Sequence, residues 1–138
     1  MKDKRGKSFV TIMIVIALLA LILRIVVEAL INRNMALNQS NAQGTLKLIS
    51  AALENYAKDN QGAYPANFSL LAKPQPPYLD RDYLAQSPIK GYNYSCPRLE
   101  PSGYSCSAAP KKCGFDGKIA YNVTTGGIAV LEECSKKE

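Results

Sequence analysis

FVTIMIVIALLALIL, residues 9–23, is an apolar run broken only by Thr11, and it stands directly behind the basic stretch MKDKRGKS, residues 1–8. As α-helix these residues rise about 22 Å, short of the roughly 30 Å hydrocarbon core of a bilayer. Extension through Ile31 adds Ile25, Val26, Val27, Ala29 and Leu30 and brings the length to about 35 Å, enough to span. The extension also carries Arg24 and Glu28. These stand at i and i+4, where they can pair on one helix face and lower the cost of charge near lipid. A core helix would need apolar partners all round, and no other segment is apolar enough to surround this one. A secretory signal peptide would need a small-x-small exit behind the run. Arg24-Ile25-Val26-Val27-Glu28 offers none, and the first cysteine, Cys96, is too distant for a lipoprotein site. The run is therefore expected to stay in the mature chain. Lys2, Lys4, Arg5 and Lys7 against Asp3 put the N-terminus in the cytoplasm by the positive-inside rule, with everything from about Asn32 on the far side.

Beyond the run, helical periodicity continues to about Asp59. Ala42, Leu46, Ile49, Leu53 and Tyr56 recur at spacings of four and three, the stripe of a helix with one buried face. Asn34, Asn38, Gln39, Asn41, Gln43 and Lys47 are expected on the exposed side, and Gly44 weakens the helix by about 1 kcal/mol relative to Ala. Asn60 and Gly62 predict a C-terminal cap. Residues 61–86 hold Pro65, Pro74, Pro76 and Pro77. They read as a connector laid across a sheet, with short helices at Ala66–Ala72 and Tyr78–Leu84 as the alternative.

The remainder reads as antiparallel β. Gly91–Arg98 and Tyr104–Ala109 alternate and turn at Leu99–Gly103; Gly117–Val123 and Ile128–Glu133 follow, joined by Thr124-Thr125-Gly126-Gly127. One sheet face is expected to pack on the Leu46–Tyr56 stripe. The fold class is therefore α+β: a long N-terminal helix, half membrane and half amphipathic, packed on a small antiparallel sheet.

Four cysteines, Cys96, Cys106, Cys113 and Cys134, all lie in the last third. An even count in a small exported region reads as two disulfides. Zinc would need CxxC-type spacing or histidine partners, and the chain has no histidine. Three pairings are open to four cysteines. The hairpin register sets Cys96 opposite Cys106 and leaves Cys113 for Cys134.

Absent histidine also removes the commonest general base, and the carboxylates beyond the membrane run are scattered. No catalytic constellation, glycine-rich phosphate loop or cofactor motif is present, so a non-enzyme is expected. Asp80 and Asp82 fall short of the six to eight oxygens that calcium takes. Net charge is +6, too mild to argue for nucleic acid. Lys111, Lys112, Lys118, Lys136 and Lys137 form a candidate basic patch. DNA contact there would be charge-driven and salt-sensitive; ordinary solvated lysines are the plainer reading.

Gly6-Lys7-Ser8-Phe9-Val10-Thr11-Ile12-Met13-Ile14-Val15-Ile16-Ala17 resembles the class III signal of type IV pilins and type II secretion pseudopilins. Leu46–Tyr56 followed by Asp59-Asn60-Gln61-Gly62-Ala63-Tyr64-Pro65 resembles the helix end and following turn of pseudopilins close to the major subunit. The resemblance implies a cut between Gly6 and Lys7 by a membrane prepilin peptidase, N-methylation of Lys7, and retention of the apolar segment as filament core. It divides the chain into a leader (1–6), a membrane and filament-core helix (7–31), the head's amphipathic helix (32–60), a Pro-rich connector (61–90) and a disulfide-bonded β region (91–138). Implied partners are other subunits, the peptidase, an inner-membrane assembly platform and membrane lipid, with the head periplasmic and later part of a filament.

The chain departs from that pattern at two places. Lys7 stands where the family usually has Phe, and Thr11 where it usually has Glu; aligning on Phe9 instead puts Met13 in the glutamate slot. In the family that glutamate is thought to neutralise the terminal amine of a neighbouring subunit, and an uncompensated ammonium in an apolar core is costly. A minor or tip subunit is one reading and a divergent major subunit the other. The alternatives are a tip protein contacting DNA, a surface or secreted substrate, and an uncleaved single-pass anchored protein.

Overall fold

The computed structural model describes residues 4–135, with side chains from Ser8 onward. Helix α1 runs Lys4–Asp59. A short 3₁₀ turn, Phe68–Leu71, leads to four strands: β1 Tyr92–Glu100, β2 Gly103–Pro110, β3 Ile119–Thr124 and β4 Ile128–Glu133. The fold is α+β, and the chain divides into two compact units between Arg33 and Asn34.

In the first unit α1 is apolar on every side. Phe9, Ile16, Leu23 and Leu30 are all more than half exposed, and none of the most apolar 18-residue window, of mean hydropathy 3.0, is buried. By length and composition this helix is able to cross a membrane. Arg24 Nε and Glu28 Oε1 pair at 3.3 Å on its surface.

In the second unit α1 has one buried face. Ala42, Leu46, Ile49 and Leu53 form it as their spacing predicts, joined by Met35, Ala52 and Ala57, while Tyr56 is only half-buried. Opposite lie Tyr92, Tyr94, Tyr104, Cys106, Ala108, Tyr121 and Val123 from the sheet. The other side of the helix is less polar than expected: Leu37 and Leu48 are exposed there with Gly44. Asn38 instead turns inward, and its amide donates to the Asp116 carbonyl at 3.1 Å.

The helix ends where Asn60 and Gly62 predict. Gln61 and Gly62 both take left-handed backbone (φ 59° and 86°), and the Gly62 N–H donates to the Ala57 carbonyl at 2.7 Å. The connector forms only the Phe68–Leu71 turn, capped by Asn67 Oδ1 accepting from the Ser69 N–H. Residues 78–84 are irregular instead of helical. Asp82 Oδ1 accepts the N–H groups of Leu84 and Ala85, each at 3.0 Å, a local side-chain bond that closes a turn.

The sheet is wholly antiparallel in the order β1-β2-β3-β4. The first hairpin is tighter than predicted, turning at Pro101–Ser102, and it carries a bulge. Ser95 pairs with Ser107 and Arg98 with Ser105, so Cys96 and Pro97 together face Cys106. Tyr121 and Val123 of β3 face the helix, but the packing stops at that strand: all six residues of β4 are exposed.

Candidate assembly surface

Of the residues picked out at the start of the chain, Phe9, Thr11 and Met13 lie on the bare part of α1, Phe9 and Met13 being 66% and 55% exposed. Of Gly6 and Lys7 only the helical backbone is described, and Lys136 and Lys137 lie outside the described residues altogether. On a helix apolar all round, these positions present surface that water does not favour, roughly 25 cal/mol for each Å² of apolar area. Lipid or other apolar helices are the environments that match it.

The disulfides join Cys96 to Cys106 across the bulged hairpin and Cys113 to Cys134 across the β2–β3 loop and the chain's end. The second closes 21 residues and ties the end of β4 to the loop that precedes β3; the Cys134 N–H also donates to the Lys118 carbonyl at 2.9 Å. Lys111, Lys112 and Lys118 are exposed around this bridge. Near them Asp116 Oδ2 accepts the Lys112 backbone N–H at 3.0 Å, and the Lys112 ammonium lies 6.0 Å from the centre of the Phe115 ring. Asp80 and Asp82 serve their own loop, Asp80 accepting from the Tyr83 hydroxyl at 2.8 Å and the Arg81 guanidinium at 3.1 Å.

One polar cluster was invisible as such in the sequence. Glu54, on the helix, accepts from the Tyr104 hydroxyl at 3.0 Å, the Gly126 N–H at 2.8 Å and the Tyr64 hydroxyl at 3.1 Å, while Ser50 Oγ lies 3.0 Å from the Tyr104 hydroxyl. Its members come from α1, the connector, β2 and the β3–β4 turn. Glu54 appeared among the scattered carboxylates because its three partners stand 10, 50 and 72 residues away. The one signal available was a carboxylate one residue from the buried Leu53. Burial pushes the Tyr104 phenol up to about 12, helped by the carboxylate beside it, and burial likewise lifts Tyr92 to about 12. These are phenols kept neutral to hold the sheet against the helix, because a buried phenolate would be poorly solvated.

A long apolar N-terminal helix whose far half packs on a four-stranded antiparallel sheet with two disulfides is a pilin-like architecture. The apolar helix and the disulfides point to a membrane-attached protein with an extracytoplasmic head. No family model, no curated protein and no solved structure matches the chain.

Proposed function

We propose that the chain is a structural subunit of a type IV pilus or a type II secretion pseudopilus, cut after Gly6 and assembled through α1. The observation that carries this reading is the bare apolar half of α1, none of whose most apolar window is buried, joined in one chain to a disulfide-bonded head. In lipid that surface is stable. Outside lipid it is stable only against other apolar helices, which is the condition of a filament core. A prepilin peptidase would remove Met1–Gly6, and an inner-membrane platform would draw the subunit out of the bilayer. The head would then be periplasmic before assembly and lie on the filament surface after it.

Mass spectrometry of the mature N-terminus tests the proposal. A chain beginning at methylated Lys7 is expected, and an intact Met1 would overturn it in favour of a plain anchored protein. Thr11 in the place of the family's glutamate favours a minor position, at or near a tip where no subunit lies above. Thr11→Glu is then expected to raise incorporation along the filament, counted by labelling subunits along its length; unchanged incorporation would count against a position defined by the missing charge.

A further inference from the structure

The two edges of the sheet are built differently. β1 is closed against further pairing. The Tyr94 N–H donates to Ser87 Oγ at 2.7 Å, Tyr92 and Ile89 exchange two backbone bonds, and Pro97 in the bulge has no N–H to offer. These are the devices by which natural sheets protect an edge. Among the described residues β4 has no such side-chain cap, bulge or proline. It pairs with β3 over six consecutive residues without a bulge, contains no proline, and reads Ile128-Ala129-Val130-Leu131 before its first charge.

Both faces of β4 are apolar as well. Register places Ala129 and Leu131 beside Val123 and Tyr121 on the helix side, and Ile128 and Val130 on the opposite side. Ile128 and Leu131 are about three-fifths exposed, at 62% and 60%. A strand apolar on both faces is the pattern of an interior strand. Here it stands at an edge, and its inner face opens on an apolar cleft of about 240 Å³ whose other wall is Gln43, Leu46, Lys47, Ser50 and Ala51 of α1. Such an edge pairs readily with an extended chain.

We propose that β4 is a docking edge for an extended segment of another protein, which adds as a fifth, antiparallel strand. The charges on β4 specify what it accepts. Glu132 and Glu133 end the strand, both exposed. An antiparallel partner brings its N-terminal end against them, so the segment carries basic residues first and then alternating apolar ones. The alternate side chains enter the cleft beside Leu131. A translated second copy is a poor occupant, because the strand it would offer in antiparallel sense is β1, whose edge is taken by Ser87 and Ile89. This inference does not depend on the filament reading and survives its failure.

The test uses the full chain in detergent micelles and the synthetic peptide KRVTVTV, with VTVTVRK and EEVTVTV as controls. Amide hydrogen exchange of residues 128–133 is expected to slow at least about tenfold with KRVTVTV, and its affinity to exceed that of either control by about three- to tenfold. Val130→Lys, at a site already 45% exposed, is expected to abolish the slowing while the melting curve and both disulfides remain unchanged. No slowing at millimolar peptide would overturn the proposal, as would equal binding by the Lys variant. Slowing that appears without peptide and grows with protein concentration would also overturn it, since that would show copies pairing with one another through β4.

Discussion

Helix α1 is one element under two solvents. From Phe9 to Leu23 its side chains, Thr11 apart, are apolar on every face and none of the most apolar window is buried; after Asn34 it buries a single stripe against the sheet and exposes the rest. The backbone is continuous helix throughout, so backbone propensity does not separate the halves. What changes is the number of faces that must leave water. The apolar residues described in the first half are exposed, and substitutions of them should leave the stability of the head alone. The second half supplies one side of the head's core. The contrast can be broken by any substitution whose cost falls on the wrong side.

The largest expected effect comes from a matched pair of truncations. Leu53 is fully buried in the helix–sheet core and Leu19 is 56% exposed on the bare half. Leu53→Ala should cost the head about 2–5 kcal/mol, a lost transfer free energy plus a cavity that the rigid sheet cannot refill. Leu19→Ala should leave the head's stability within about 0.5 kcal/mol while weakening membrane retention. Urea unfolding of the head in micelles, followed by tyrosine fluorescence, measures both. An equal loss from Leu19→Ala would show that the two halves are energetically one.

Next comes the bridge at the far end of the head. Replacing Cys113 and Cys134 by Ala opens a loop of 21 residues, for which chain entropy alone predicts a loss of about 3 kcal/mol. The shorter Cys96–Cys106 link, spanning 10 residues, should cost somewhat less by the same relation. Both losses belong to the head, and neither should alter membrane insertion of α1, read by carbonate extraction.

A pH series separates the halves without mutation. All eight tyrosines lie beyond Asn34, and burial holds Tyr92 and Tyr104 up at about 12, against about 10 in the unfolded chain. Between those values the folded head binds more protons than the unfolded chain, so stability falls as pH rises. The tyrosine contribution should leave urea midpoints flat up to about pH 9 and lower them steadily from about pH 10 to 12. Tyr92→Phe should flatten part of that fall, although it also removes the hydroxyl's 2.8 Å bond to the Ile119 carbonyl. A fall already complete below pH 9 would assign the loss to other groups.

The sequence made much of this division legible for a simple reason. Spacings of three and four report a helix face directly, and Ala42, Leu46, Ile49 and Leu53 are buried as their spacing predicts. Alternation likewise reports a strand, and facing positions in a hairpin report Cys96 against Cys106. Periodicity does not report how far a neighbour extends. Ile128 and Val130 read as one face of an ordinary strand, and only the register with Asn122 and Thr124 shows that face turned away from the helix. Leu37 and Leu48 fall outside the 42/46/49/53 stripe, so the helical period sets them away from the sheet without reporting why that side carries two leucines. The Glu54 cluster escaped for a related reason, since its members meet only once the β3–β4 turn has folded back onto the helix.

The smallest effect is also the one that bears most directly on the helix as a shared element. Gly44 lies in mid-helix on the exposed side, and a Cβ built there meets no atom within 4 Å. Among the described residues no other segment requires a glycine there, yet it costs about 1 kcal/mol relative to alanine in a helix interior. Gly44→Ala should therefore stabilise the isolated head by about that amount, seen as a higher urea midpoint with an unchanged slope. Leu37 and Leu48 stand seven residues before it and four after, on the same side. If that side is covered in an assembled state, the same methyl group that steadies the monomer should reduce assembly, because a small residue permits close helix approach. Stabilisation with unaltered assembly would leave the second half of α1 a support for its own sheet alone. Stabilisation with impaired assembly would show that its outward side is built to meet another molecule.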